Sequence, residues 1–398
     1  NASALPGAER HSRGAGFSFA VAQHDPTRPL VIDPLVYGTY VGDAAYDKTV
    51  AVRVLPNGIV VGGTTAGITF PQGTGRYQSN HAGDLDAFVA VLSKDLEEVI
   101  AYSYFGGVGL DRMAAMTTDQ AGSVYVTGQT TSTDLPVSSG AAGQIFRGQT
   151  DGFVVKLANG LTKLDVCTYV GGNRDDVPAA IAVDATQNIF VAGGTNSTTG
   201  FPTTLAHQGT NGGQWDGFLC RLSPNGSTFG FSTYYGKEGI ETFTALALNS
   251  GGEPFVTGST TSSNFETAPT PGRWSSGRVP YDRSFNGGNT DAFVIKFFSD
   301  GTLSKRDDGT YSTFFGGNGE DVGRGIFVDQ TGRAIVVGTT TSTNLPTTGA
   351  VIAQPIGQRD IFMAVLADDG RALASCTYYG GTGNDDILGA INLNATST

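Results

Sequence analysis

The chain has 398 residues, 58 of them glycine, with 15% charged and 39% hydrophobic side chains and a formal net charge of −12. An acidic chain with only scattered arginines has no face that neutralises phosphates, so nucleic acid is not an expected partner. No run reaches ~18 consecutive apolar residues, so no membrane-spanning helix or membrane insertion is expected, and so much glycine without a collagen period marks a turn-rich β composition.

Residues 1–34 read as an N-terminal tail and hairpin, with GFSFAVA at 16–22, the turn QHDPTR and PLVID at 29–33. The first residue is Asn1, so any leader is expected to have been removed or to lie outside this sequence. From residue 35 onward one phrase returns: TYVGDAAYD (39–47), SYFGGVGLD (103–111), TYVGGNRDD (168–176), TYYGKEGIE (233–241), TFFGGNGED (313–321) and TYYGGTGND (377–385). The spacing is 64 or 65 residues except before the fifth copy, where it is 80. Recurrence at a fixed period describes one supersecondary unit used repeatedly.

One unit, 177–235, shows the elements in order. VPAAIAVD is a short apolar strand, IFVAGGT a second, and a loop of about twenty residues follows. DGFLCRL alternates, with Phe218, Cys220 and Leu222 on one face, and FGFSTYYG follows the turn SPNGST. Four strands in ~65 residues make a sheet too small to bury both faces alone, so it packs on copies of itself. The expected fold is all-β, a β-propeller of four-stranded blades. Small residues four positions after the acid of each phrase (Ala51, Ala115, Ala180, Ala245, Gly325, Gly389) fit the crowded innermost strand. The inner strand occurs six times, ending with 388–394, and the outer strand six times, beginning with 35–41, but the middle pair only five. Six blades are therefore expected over 35–398, one of them shared between the N- and C-terminal strands. The hairpin before residue 35 could supply that blade's middle pair.

The order TYxGGxGxD, AIAVD, NIFVAGGT, Phe/Leu-Pro, D-A/G-F-V-x-K-L resembles the bacterial β-propeller repeat family of large secreted surface proteins, the SBBP-type repeats. The resemblance covers about 35–393, and HDPTRPLVIDP (24–34) resembles the end of a β-rich domain that precedes such propellers, making 1–34 a remnant of one. Asp43, Lys237 and Glu241 depart from the phrase. The resemblance implies an extracellular or cell-surface location and a non-catalytic structural or adhesive role. Self-assembly into a filament or surface layer is expected with it, the partner being the chain itself or another surface component.

No metalloprotease, hydrolase-elbow, phosphate-loop or Cys/His pattern occurs, and His11, His24, His81 and His207 are scattered. No enzyme and no cofactor is expected; Asp176, Asp321 and Asp385 in their glycine-rich phrases are candidate Ca²⁺ ligands against the reading that phrase acids cap turns. The acids opening the third strand, Asp86, Asp151, Asp216, Asp291 and Asp360, read as turn acceptors. Cys167, Cys220 and Cys376 read as unbridged thiols. The enlarged loop of the fourth unit carries Arg273, Trp274, Arg278, Tyr281, Arg283 and Phe285, residue types that anchor interfaces. They are the candidate ligand or partner site, carbohydrate being the alternative ligand, against the reading that the aromatics fold back over a blade. A polysaccharide-cleaving enzyme is a further alternative, opposed by the symmetric recurrence of the carboxylates.

Overall fold

Valine, isoleucine, phenylalanine and threonine dominate the recurring segments, and these side chains suit a pleated, half-buried backbone. In the computed structural model, which describes residues 39–68, 76–268, 279–303 and 309–387, they form five four-stranded antiparallel sheets and no helix. The first sheet comprises β1 (Asp47–Leu55), β2 (Gly58–Thr65), β3 (Asp86–Leu92) and β4 (Val99–Phe105). The second comprises β5 (Asp111–Thr118), β6 (Val124–Thr130), β7 (Asp151–Leu157) and β8 (Leu164–Val170). The third has β9 (Asp176–Val183), β10 (Ile189–Thr195), β11 (Asp216–Leu222) and β12 (Phe229–Tyr235). The fourth has β13 (Glu241–Leu248), β14 (Pro254–Thr260), β15 (Asp291–Lys296) and β16 (Tyr311–Phe315). The fifth has β17 (Asp321–Val328), β18 (Ala334–Thr340), β19 (Asp360–Leu366) and β20 (Leu373–Tyr379). Strand order within each sheet is sequential, so every blade is an up-and-down meander, as the alternation and turns require.

Successive sheets pack like blades. The first strand of each crosses the three leading strands of the sheet before it: β5 on β1–β3, β9 on β5–β7, β13 on β9–β11, β17 on β13–β15. Apolar cores fill these four junctions. The phenylalanine two residues after each third-strand acid is their recurrent filler: Phe153, Phe218, Phe293 and Phe362 are all completely buried. Phe153 meets Phe105 of the preceding sheet at 5.4 Å and Phe362 meets Phe315 at 4.9 Å. Burying one such ring is worth about 1.5–3 kcal/mol, so the D-x-F motif is a packing device.

Each innermost strand also carries one unpaired residue at the same place: Val50, Ala114, Ala179, Thr244 and Arg324. Such a bulge adds twist and re-aims a side chain. The arrangement is β-propeller-like, and the five complete copies of the unit are its five sheets. The tail and hairpin 1–34, the last inner strand (388–394) and most of the first outer strand (35–41) lie outside the described residues; residues 39–41 form no strand.

Candidate functional site

Two sets of carboxylates gather where the glycine-rich phrases and the long loops meet. In all six phrases the acid accepts the N–H four residues before it: Asp43 to Asp47, Gly107 to Asp111, Gly172 to Asp176, Lys237 to Glu241, Gly317 to Asp321 and Gly381 to Asp385, at 2.6–2.9 Å. Hydroxyls add to this: Ser132 donates to Asp111, Ser197 to Asp176 and Ser342 to Asp321 at 2.7–2.8 Å, and Thr195 donates to Asp176. The third-strand acids do the same for the long loops, taking the N–H of Ala82, Arg147, Gly212, Asn286 and Ile356. These acids are turn acceptors, and the described residues contain no cluster of three or more metal-ligating side chains.

The phrase hydroxyl is the third staple. Ser103, Thr168, Thr233, Thr313 and Thr377 accept the N–H of Gln78, Gly143, Gln208, Asp282 and Ile352 in their own unit's long loop. The loop is thereby laid along the outer strand. In the fourth unit this brings Tyr281 down the sheet edge, where its N–H donates to the Gly370 carbonyl and its ring packs on the core between the fourth and fifth sheets. Burial pushes its phenol up to about 12. Phe285 packs edge-on against Phe314 at 6.3 Å, while Arg283 is exposed. Arg273, Trp274 and Arg278 lie outside the described residues. The two described aromatics of this loop thus serve packing.

Lys237, a departure from the phrase, has a local explanation. Its ammonium lies 3.3 Å from Glu266 Oε2, whose other oxygen is 3.5 Å from His207 Nε2, and His207 stacks on Tyr235 at 5.7 Å. This trio ties the long loop of the third unit to that of the fourth. Cys167, Cys220 and Cys376 are free and buried, and burial pushes each thiol up to about 12, so all three are inert packing groups.

The feature that breaks the symmetry is a cavity of about 370 Å³ between the third and fourth sheets. Its floor is Gly194, where the sister sheets carry Thr64, Gln129, Ser259 and Thr339. Over that floor lies Trp215, where they carry Leu85, Thr150, Thr290 and Arg359. A Cβ on Gly194 would stand 3.3 Å from both the indole and the Thr242 methyl, so glycine is what leaves the space open. Val177 and Ala179 of β9, Phe243 of β13 and the 39% exposed Ile240 complete apolar walls. Thr244 also lines it, but its hydroxyl is held by the Gly323 carbonyl at 2.6 Å. The Glu241 N–H to Trp215 carbonyl bond, 2.8 Å, fixes the Trp215 backbone at the junction. Comparison of equivalent positions could have found this site, since Trp215 and Gly194 both depart from their sisters.

No family model matches the chain, and no curated protein matches it. Among solved structures it is similar to a protein of unknown function from Dyadobacter fermentans (11% identity, TM-score 0.41, 87% of this chain and 86% of that one). It is also similar to a GH43_1 enzyme from Xanthomonas citri (12%, 0.33, 85% and 92%). A member of the DUF4221 family from Bacteroides vulgatus follows (8%, 0.30, 86% and 83%). Likeness at this level carries no functional argument.

Proposed function

We propose that the chain is a non-catalytic six-bladed propeller, a structural and adhesive module of the cell exterior that grips an apolar group of its partner in the Trp215 cavity. The cavity is the observation that carries this reading. The carboxylates that would serve an enzyme recur in every unit and hold loops, whereas the cavity occurs where one unit departs from the rest. Its size suits a ring or a branched aliphatic group, the kind of anchor that dominates recognition. Carbohydrate is the poorer fit, because the walls offer few polar groups to meet sugar hydroxyls. The secreted, surface-associated setting rests on the resemblance of the repeat phrases.

Three observations support the sixth blade. Asp385 donates its N–H to the Arg359 carbonyl at 2.9 Å, the bond that Asp111, Asp176, Glu241 and Asp321 make to Leu85, Thr150, Trp215 and Thr290 where each later sheet begins. Met363 and Tyr379 of the fifth sheet are 45% and 68% exposed, although their counterparts Val154 and Val170 are fully buried. The first sheet carries Phe88, Tyr102 and Tyr104 in an apolar cluster that takes nothing from the other four sheets and against which Val41, from the segment before that sheet, also packs. A sheet built from 35–41 and 388–394 would unite these two ends.

The test uses the full chain with Trp274→Phe, which leaves Trp215 as the fluorophore. Titration with indole and with phenylalanyl and leucyl peptides is expected to shift its emission, and Gly194→Val to abolish the shift while labelled protein binds surface preparations less. An unchanged emission with undiminished surface binding of the Gly194→Val variant sinks the reading.

A further inference from the structure

Ten carboxyl groups stand in five pairs, each third-strand acid beside the acid of the phrase that follows its sheet: Asp86 with Asp111, Asp151 with Asp176, Asp216 with Glu241, Asp291 with Asp321, Asp360 with Asp385. The first glycine of the phrase measures their approach. A Cβ on Gly106 would lie 2.3 Å from Asp86 Oδ1 and 2.8 Å from Asp111 Oδ2, and one on Gly236 2.5 Å from Asp216 Oδ1 and 2.6 Å from Glu241 Oε2. On Gly316 it would lie 3.2 Å from Asp291 Oδ1 and 2.9 Å from Asp321 Oδ2. The two acid oxygens border one small space that no side chain can enter.

We propose that the pairs Asp86–Asp111, Asp216–Glu241 and Asp291–Asp321 each retain a proton on the third-strand acid in mildly acidic solution, where an ordinary carboxyl is ionised, so that cohesion between the sheets is governed by proton activity. This inference stands apart from the reading of the Trp215 cavity. In these three acids Oδ2 takes a loop N–H, while Oδ1 is buried and no donor among the described residues reaches it. An orphaned buried carboxylate oxygen is costly. A proton on Oδ1 removes the charge from this buried, orphaned oxygen and gives it a donor of its own beside the phrase acid, whose near oxygen also accepts the Gly107, Lys237 or Gly317 N–H. In the other two pairs the Oδ1 atoms of Asp151 and Asp360 do have a donor, the N–H of Gly148 at 3.0 Å and of Gly357 at 3.3 Å. There the proton is not required.

The surroundings agree. Burial first, and the facing acid with it, pushes Asp86 and Asp291 up to about 7 and Asp216 up to about 6. The charged groups around the first pair are Asp111 and Asp134, both negative, with His81 held on the Thr65 carbonyl. Around the second, Glu241 faces Asp216, and Lys237 and His207 are engaged by Glu266. Around the third stand Asp321 and Asp282, with Glu320 accepting from Asn289. Among the described residues, no cation faces any of the three carboxyl pairs directly. A carboxyl whose folded value is raised stabilises the fold fully below its unfolded value near 4, and that stability is lost as pH climbs through 6 to 7.

Thermal unfolding of the full chain between about pH 5 and pH 8 tests this, beside the D86N/D216N/D291N variant. The amide keeps an acceptor for the loop N–H and a donor toward the phrase acid, mimicking the protonated carboxyl. The wild-type Tm is expected to fall across this range, and the variant to match it at the acid end and exceed it at the alkaline end. A wild-type Tm that is flat or rises, or a variant less stable at both ends, overturns the proposal. So does a fall that calcium abolishes and EDTA restores, because a cation would then fill the pair. If the variant does not fold, carboxyl ¹³C titration of the wild type decides: three aspartates with midpoints above about pH 5.5 support it, and none above about pH 4.5 overturns it.

Discussion

Asp176 illustrates how much one repeated side chain does. It accepts the N–H of Gly172 and the hydroxyls of Thr195 and Ser197 while completely buried. Asp176→Ala strands these donors and is expected to cost about 3 kcal/mol in urea unfolding, whereas Asp386→Ala, at an exposed position, is expected to stay within about 0.5 kcal/mol. Gly106→Ala should also destabilise, by about 1–3 kcal/mol, because its methyl would collide with the Asp86–Asp111 pair. The framework role of these acids was legible in the sequence, since a group needed in every copy is seldom a catalyst. Their pairing across junctions was not, because Asp86 and Asp111 belong to different sheets and nothing in the spacing within a unit brings them together.

At the level of strands, alternation and turn residues were sufficient to anticipate the meander, because a one-residue slip would turn every apolar side chain outward. The inner-strand bulge escaped notice: an extra residue such as Ala179 or Thr244 looks like any other in an apolar run. The cavity escaped for a related reason, its walls coming from β9, β10 and β13 and from both loops between them. Phe218→Ala is expected to cost about 3–5 kcal/mol in denaturant unfolding, as its ring fills the junction between the second and third sheets against Phe201 at 5.2 Å. Gly323→Val should cost about 1–3 kcal/mol, since its Cβ would meet Thr257 Oγ1 at 2.1 Å on the neighbouring sheet.

For the molecule as a whole, the expectation that matters is how the array ends. If a sixth sheet joins the termini, deleting 388–398 removes its inner strand and leaves the apolar faces around Met363, Tyr379 and Phe88 uncovered. Such a truncation is expected to lower Tm by several degrees, raise binding of an apolar dye and promote association in sedimentation. Unchanged behaviour would instead mean that five sheets suffice. The blade count was readable only as far as complete copies of the unit exist, since a split blade leaves just half of its pattern at each end of the chain.

The fourth unit's loop carries a practical corollary. Ala268 pairs with Ser312, and Asp282 accepts and donates with Thr313 and Phe314 on the same outer strand, so both feet of the insertion stand side by side. Widening an excursion between adjacent anchors costs little, about 0.6 kcal/mol for each doubling of its length. A foreign epitope or a small guest domain spliced between those feet would therefore ride on the rim while the sheets beneath keep their register, which makes this position a natural display port.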